Sequence, residues 1–505
     1  MAEKRLINNK IILEILEKYR TIWALGYFSN LAYWDLNTYM PKGGINARGE
    51  ALSQMETLSQ KLFLDKNFVD LINKAEKERL NDYEKGIIRT LKRELKKYQK
   101  LPPEFIEEFT KITSTARLVW KTAREQNNFS LFEPYLEKIV ELCRKKAEYL
   151  GYKKHPYDAL LDEFEEGLTT DEVEKYFNSI KEPLINLIKR IKNSQGYKSK
   201  HPLEDEEYEI EKMKKLEKKI LEVLNYNPSI LRLDISPHPF TAMLSSDDVR
   251  ITTRHEKEGF IRSLSSTVHE FGHALYALQA SKGLEYTPIL NCESTVLHES
   301  QSRFWEKMVA SSKEFIKLIY KEISELGKNI KNYSIDEICR CYNLVKPSLI
   351  RTGADEVTYH LHILIRFELE RDLIAGKIQV KDLPRMWNEK YERYLGVKPK
   401  EDSDGVLQDI HWSQGSIGYF PTYSIGSALS AMWKNKLEKD IGKINDVLNE
   451  KDGIKRIQEW LKENIHQYGS TYTFKDLVKK VTKEDFNPKY FLSYLENKYK
   501  DIYSL

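Results

Sequence analysis

Cysteine is scarce in this chain: four in 505 residues, Cys143, Cys292, Cys339 and Cys341. None sits in a CxxC pair, and Cys339 and Cys341, two apart, would face different sides of a helix. A disulfide framework is excluded, and reduced, free thiols in an intracellular protein are expected. No apolar run approaches the length needed to cross a bilayer. The opening stretch, MAEKRLINNKIILEILEKYR, lacks the apolar core and small-residue cleavage site of a signal peptide, so a soluble, cytoplasmic protein is expected. No fixed-period repeat is present. Neither charge dominates: 81 Lys and Arg stand against 77 Asp and Glu, a net +4, and the two signs are interleaved. That balance speaks against a dedicated nucleic-acid binder. What the chain does have is a core-forming fraction, 41% hydrophobic residues, under a surface fed by 31% charged ones. Disorder is excluded. Heavy use of both charges fits a thermophilic source. The length predicts two or three domains, or one large helical body with lobes.

Helical periodicity covers most of the chain. IILEILEKYRTIWALGYF, YEKGIIRTLKRELKKYQK, FEPYLEKIVELCRKKAEYL and VEKYFNSIKEPLINLIKRI all repeat apolar residues at intervals of three and four. Pro102 and Pro103 mark the end of one helix and the start of another. GLTTDEVEKYF offers a Thr or Asp cap ahead of a periodic run. The run EDEEYEIEKMKKLEKK reads as a solvated helix face. The character changes between Asn225 and Phe260. Leu231 to Ile235 and Val249 to Thr253 alternate and are rich in branched residues, with Ser236, Pro237 and the SSDD run as turns between them. Two short strands of a small sheet are predicted there. Helices resume near Arg262 and continue to the end. One interruption, EDSDGVLQDIHWSQGSIGYFPTYSIGS, is rich in Gly, Ser and aromatics and reads as a functional loop.

Just after the predicted strands comes STVHEFGHALYAL. On a helix, HExxH sets His269 and His273 side by side, so that both rings can bind one cation, with Glu270 directed at the same place. A chance HExxH could fall on any helix. This one is flanked by LSSTV and ALYAL, and burying two imidazoles and a carboxylate in an apolar helix without partners is costly. Metal ligation removes that cost. A catalytic zinc needs a third protein ligand. Glu299 in VLHESQSRFWEKM is the best placed, 26 residues beyond His273, far enough for one helix to end near Gly283 and a second to return. Glu293 and Glu306 compete, although Glu306, beyond Trp305, reads as exposed. A three-ligand zinc lowers the pKa of its bound water to about 7 and polarises a scissile carbonyl. Glu270 would take the proton from that water and pass it to the leaving amine. Further donors are then needed for the oxyanion.

With these motifs in view, the chain resembles the carboxypeptidase Taq family of HExxH metallocarboxypeptidases. HPF (His238 to Phe240), DVRIT (Asp248 to Thr252), HEFGH, HES, IRTGADE (Ile350 to Glu356) and GVLQDIHW (Gly405 to Trp412) carry the likeness. YWDLNTYMPKGG and NPKYFLSYLENKY extend it to both ends. HEFGHAL alone would not decide, since thimet-type oligopeptidases carry a similar string. The resemblance implies a mostly α, helical fold with a long groove, similar to neurolysin and angiotensin-converting enzyme. With the small β-sheet beside the active site, residues 1–505 would form a single catalytic unit of helical lobes around that groove. It also implies release of single residues from free peptide C-termini, with broad side-chain preference, by a homodimer. By the family pattern, His269, His273 and Glu299 are the metal ligands and Glu270 the general base.

Further roles remain as alternatives. Arg351 is the first choice for the substrate carboxylate, against an ion pair with Asp355 four residues on. Arg250 is the second, against a pair with Asp248. His411 and Tyr423 could each donate to the oxyanion or the substrate carboxylate, against a buried aromatic cluster, and Tyr419 competes with Tyr423. His238 lines the groove or packs. Asp355 or Glu356 could orient a ligand histidine. Zinc is the default cation, with cobalt able to serve the same ligands. The competing activities are an endo-acting oligopeptidase and a helical protein that binds peptide or metal without turnover. Peptides are the expected partners, with neither nucleic acid nor membrane.

Overall fold

In the computed structural model, residues 6–256, 258–291 and 294–505 are described, so the Cys292 and Glu293 assignments fall outside the described residues. The fold is mostly helical with one small sheet. No helix among the described residues is long and apolar enough to cross a membrane. The chain divides into two compact units. The first comprises Met1–Tyr98, Pro202–Tyr342 and Ser430–Phe486, and the second Gln99–His201, Asn343–Leu429 and Asn487–Leu505.

Local chemistry explains the element boundaries. One helix ends at Lys100 and the next, Pro103–Glu125, begins with proline in its first turn, where the missing N–H costs nothing. Thr169 caps Thr170–Asn193 in a reciprocal capping box with Glu172. The run from Glu204 to Lys219 is not wholly solvated. Its helix, Ile210–Val223, buries Met213, Leu216, Ile220 and, against expectation, Glu217. That carboxylate is satisfied by the His255 ring at 2.9 Å, which is how a charge so placed is tolerated.

The sheet in the first unit has three strands, not two: β1 (Leu231–Ile235), β2 (Thr241–Ser245) and β3 (Asp248–Thr253). Their order is β1-β3-β2, with β1 parallel and β2 antiparallel to β3. The segment TAMLS carries few branched residues, so its strand is stabilised by pairing with β3 more than by propensity. The Gly- and aromatic-rich interruption is also shorter than predicted. It closes into helix at Phe420, which begins Phe420–Ile441.

Candidate active site

Phe260–Leu278 is the helix that carries HEFGH, and it starts at Gly259, whose φ of 70° is the left-handed conformation glycine adopts freely. It ends at Leu278, before the expected Gly283. Ser294 caps the second helix, Thr295–Arg303, by accepting from the Leu297 N–H. Gly272 lets the two helices meet. A Cβ there would lie 2.7 Å from the Gln301 carbonyl oxygen and 2.7 Å from Ser302 Cα. His466, buried, ties the same pair, bonding Gln279 at 2.7 Å and Gln301 at 2.8 Å.

This packing brings Glu299 Oε2 to 3.6 Å from His269 Nε2 and 3.8 Å from His273 Nε2. The ligand atoms of the three residues all lie within 4.8 Å of one another. Glu306 Oε2 takes the Nδ1 hydrogen of His269 at 2.9 Å, which turns the Nε2 lone pair toward Glu299. Nδ1 of His273 lies 3.3 Å from Nδ1 of His298. Arg303 donates through Nε to Glu299 Oε1 at 2.7 Å and through a terminal nitrogen to Glu306 Oε2 at 3.2 Å. Glu270 is buried, and Thr241 donates its hydroxyl to Glu270 Oε2 at 2.6 Å.

The charges follow from these contacts. Burial works to lower the His269 pKa, yet the Glu299 and Glu306 carboxylates outweigh it and hold the ring above its usual range. Burial, reinforced by the His269 charge, takes His273 well below its usual range, and burial alone lowers His298 to about 4. The Glu270 carboxyl is raised, again by burial. Glu306 goes the other way: burial is overcome by Lys307, Arg303 and His269, and it stays ionised.

The second unit holds a separate constellation. Arg351 and Arg366 both grip Asp409, at 2.8 and 2.5 Å, and all three side chains are buried or nearly so. The two guanidiniums outweigh the burial of Asp409 and push its carboxyl well below the usual carboxylate range. His411 Nε2 lies 3.5 Å from the Tyr423 hydroxyl, and burial lowers His411 to about 3. Tyr419 stacks edge-on against Tyr423, ring centroids 5.0 Å apart. Glu370, fully buried, accepts from the Tyr157 hydroxyl at 2.6 Å, the Trp412 indole at 2.8 Å and the Gly418 N–H at 3.0 Å.

The family model described as Carboxypeptidase Taq (M32) metallopeptidase matches residues 14–499. The chain belongs to the carboxypeptidase Taq family. Metal-dependent carboxypeptidase activity comes with that membership. The thermostable carboxypeptidase 1 of Pyrococcus furiosus is 45% identical over 98% of this chain and 100% of its own length. Carboxypeptidase 1 of Bacillus subtilis is 37% identical over 94% and 95%. A solved structure of the Pyrococcus furiosus carboxypeptidase, described as Apo-Mg, superposes with a TM-score of 0.96 at 46% identity, covering 98% of this chain and all of that one.

The carboxypeptidase Taq family implies a metal, and the donor set fits one. Two neutral-capable imidazole nitrogens and a carboxylate oxygen converge with their far sides already hydrogen-bonded, the arrangement a divalent cation requires. Several sequence expectations need correcting. Glu306 is not exposed but 6% accessible, and it, rather than Asp355 or Glu356, hydrogen-bonds a histidine of the candidate trio, His269. Asp355 caps the backbone N–H groups of Val357 and Thr358. Glu356 accepts from Tyr494, Lys498 and Tyr499. Arg351 stands in a single helical turn, Arg351–Gly353, and pairs with Asp409, not with Asp355. Arg250 does pair with Asp248, at 3.0 Å, and stacks on Trp34. His238 is exposed, not packed.

Glu370 makes the stability of the fold depend on pH. Its donors are all neutral, and burial raises its carboxyl from 4.5 to about 7. An acid raised on folding binds its proton more tightly in the folded chain. Its contribution is therefore full below about pH 4.5 and lost as pH rises through about 7. The stability difference between the wild type and Glu370→Gln should fall by on the order of 3 kcal/mol across that interval. Denaturation midpoints of both proteins from pH 4 to 8 measure it. A difference independent of pH would show that Glu370 does not titrate there.

Proposed function

We propose that this protein removes single residues from free peptide C-termini, with His269, His273 and Glu299 holding one divalent cation. The convergence of those three donors beside a buried Glu270 carries the reading. Nitrogen and carboxylate donors in this number favour zinc, with cobalt as a substitute. When bound, the cation polarises the scissile carbonyl and acidifies a water molecule. The chain's own residues do the rest. Glu270 accepts the proton of the attacking water and delivers it to the leaving nitrogen. Glu306 and Arg303 keep His269 and Glu299 in their ligating orientation.

For the substrate we propose Arg351 as the partner of the terminal carboxylate. Asp409 is shared by two guanidiniums, so one positive charge is left over, whereas Arg250 is balanced by Asp248. Tyr423 and His411 act as donors to substrate, and His238, on an exposed turn, contacts the peptide. The working form is a cytoplasmic homodimer in which residues 1–505 serve as one catalytic unit.

Product analysis on a free-ended peptide tests the activity. Residues are expected to appear one at a time from the C-terminus. An amidated copy should be cut at least a hundredfold more slowly, since it cannot form the charge-assisted pair between its terminus and Arg351. A chelator should stop the reaction and zinc restore it. Internal cleavage, or equal turnover of the amidated peptide, would overturn the proposal.

A further inference from the structure

The HPF and DVRIT segments stand outside the metal ligands, yet their contacts lead to Glu270. Thr252, the last residue of DVRIT, is fully buried on β3. Its hydroxyl accepts from the Phe240 N–H at 2.9 Å, and its own N–H donates to the Phe240 carbonyl at 3.0 Å. Ser236, also buried, lies 2.7 Å from the Thr252 hydroxyl and donates to the His238 carbonyl at 2.7 Å. HPF is thus clamped by its backbone at both ends. The next residue is Thr241, the first of β2, paired with Ile251 across the sheet.

Thr241 has two acceptors within reach of one hydrogen: Glu270 Oε2 at 2.6 Å and the Glu270 backbone carbonyl at 3.2 Å. The shorter contact, to a charged oxygen, is the stronger. Among the described residues no hydrogen bond is made to Glu270 Oε1. A glutamate has three free torsions, and a buried one without such a tether has several rotamers of similar energy. Oε2 is thus tied to a strand through Thr241. The β-branch of threonine adds to this, since its χ1 is stiff and fixes the hydroxyl.

We propose that Thr241 is a positioning residue for the Glu270 carboxylate, and that HPF and DVRIT hold its hydroxyl in place through Phe240 and Thr252. The proposal rests on Glu270 as general base. Thr241 acts through Glu270. Loss of such a supporting partner typically costs ten- to a hundredfold in activity.

Three variants and one double variant test it. Thr241→Val keeps volume and β-branching but removes the hydroxyl. It should lower kcat about ten- to a hundredfold, leave KM within about twofold, and leave one metal per chain. Thr241→Ser restores the hydroxyl on a freer side chain and should recover most of kcat. Thr252→Val should lower kcat less than Thr241→Val. Because Thr252 works through Thr241, the Thr241→Val/Thr252→Val double variant should be no slower than Thr241→Val alone. Near-wild-type kcat in Thr241→Val, loss of its metal, or multiplicative effects in the double variant would each overturn the proposal. Should Thr241→Val not fold, Thr252→Val and Thr241→Ser decide alone: wild-type kcat in Thr252→Val, or a Thr241→Ser enzyme slowed about tenfold or more, refutes it. Failure of the general-base reading shows differently, as an active Glu270→Gln enzyme.

Discussion

Glu270→Gln is expected to bind metal as the wild type does and to lose hydrolysis by about a hundred- to ten-thousandfold. The amide has the shape of the carboxylate and can still accept the Thr241 hydrogen bond, but it cannot take up a proton. The three proposed ligands, His269, His273 and Glu299, are untouched. Burial works against charge at this position, so the neutral variant should fold at least as stably. Turnover of a free-ended peptide, together with metal per chain by elemental analysis, checks both halves. A variant that retains more than a tenth of wild-type kcat would remove Glu270 from the base role. One that loses metal would mean that the carboxylate supports the ligands instead.

The second large effect is expected at a residue with no side chain of its own. Gly272→Ala adds one methyl group to the HEFGH helix, where the space is already filled by backbone: the Gln301 carbonyl and Ser302 Cα at 2.7 Å. Backbone does not swing aside as a flexible side-chain tip does. The helices must separate, and overpacking of this kind costs about 1–3 kcal/mol of stability. Glu299 moves with its helix, away from the two histidines. A misplacement of about 1 Å is enough to cost around a hundredfold in activity. Metal affinity should fall together with activity, measured by titration against a competing chelator, and the unfolding temperature should drop. Wild-type affinity in Gly272→Ala would show that the close approach does not set the ligand geometry.

How much could be read in advance depended on the range of the interaction. His269, Glu270 and His273 lie on one helix, where spacing alone sets direction. Glu299 required a guess about a returning helix. The burial of Glu306 depends on what the helix packs against, which its spacing does not show. Its signal was present, though: Glu299, Arg303 and Glu306 stand at i, i+4 and i+7 and form one stripe, which the π-helical stretch Phe304–Val309 continues. Thr241 had no such signal. TAMLS has neither alternation nor branching enough to mark a strand, and the hydroxyl gains its meaning only from the residue opposite. The pairing of Arg351 and Arg366 on Asp409 was equally invisible, since those residues come from different segments. The helical class was legible throughout, because the three-and-four periodicity is local.

The order in which the chain visits its two compact units has a consequence for biogenesis. The first unit is not closed until residues near Phe486 have been made. A Cβ on Gly86 would lie 2.8 Å from the Thr471 carbonyl oxygen, so the two segments meet closely, and His466 braces the helices of residues 260–303. On a translating ribosome, the helices that carry His269 and Glu299 therefore emerge long before their brace. Truncation anywhere upstream of residue 466 would leave them unsupported, and no contiguous fragment of the gene encodes either unit whole.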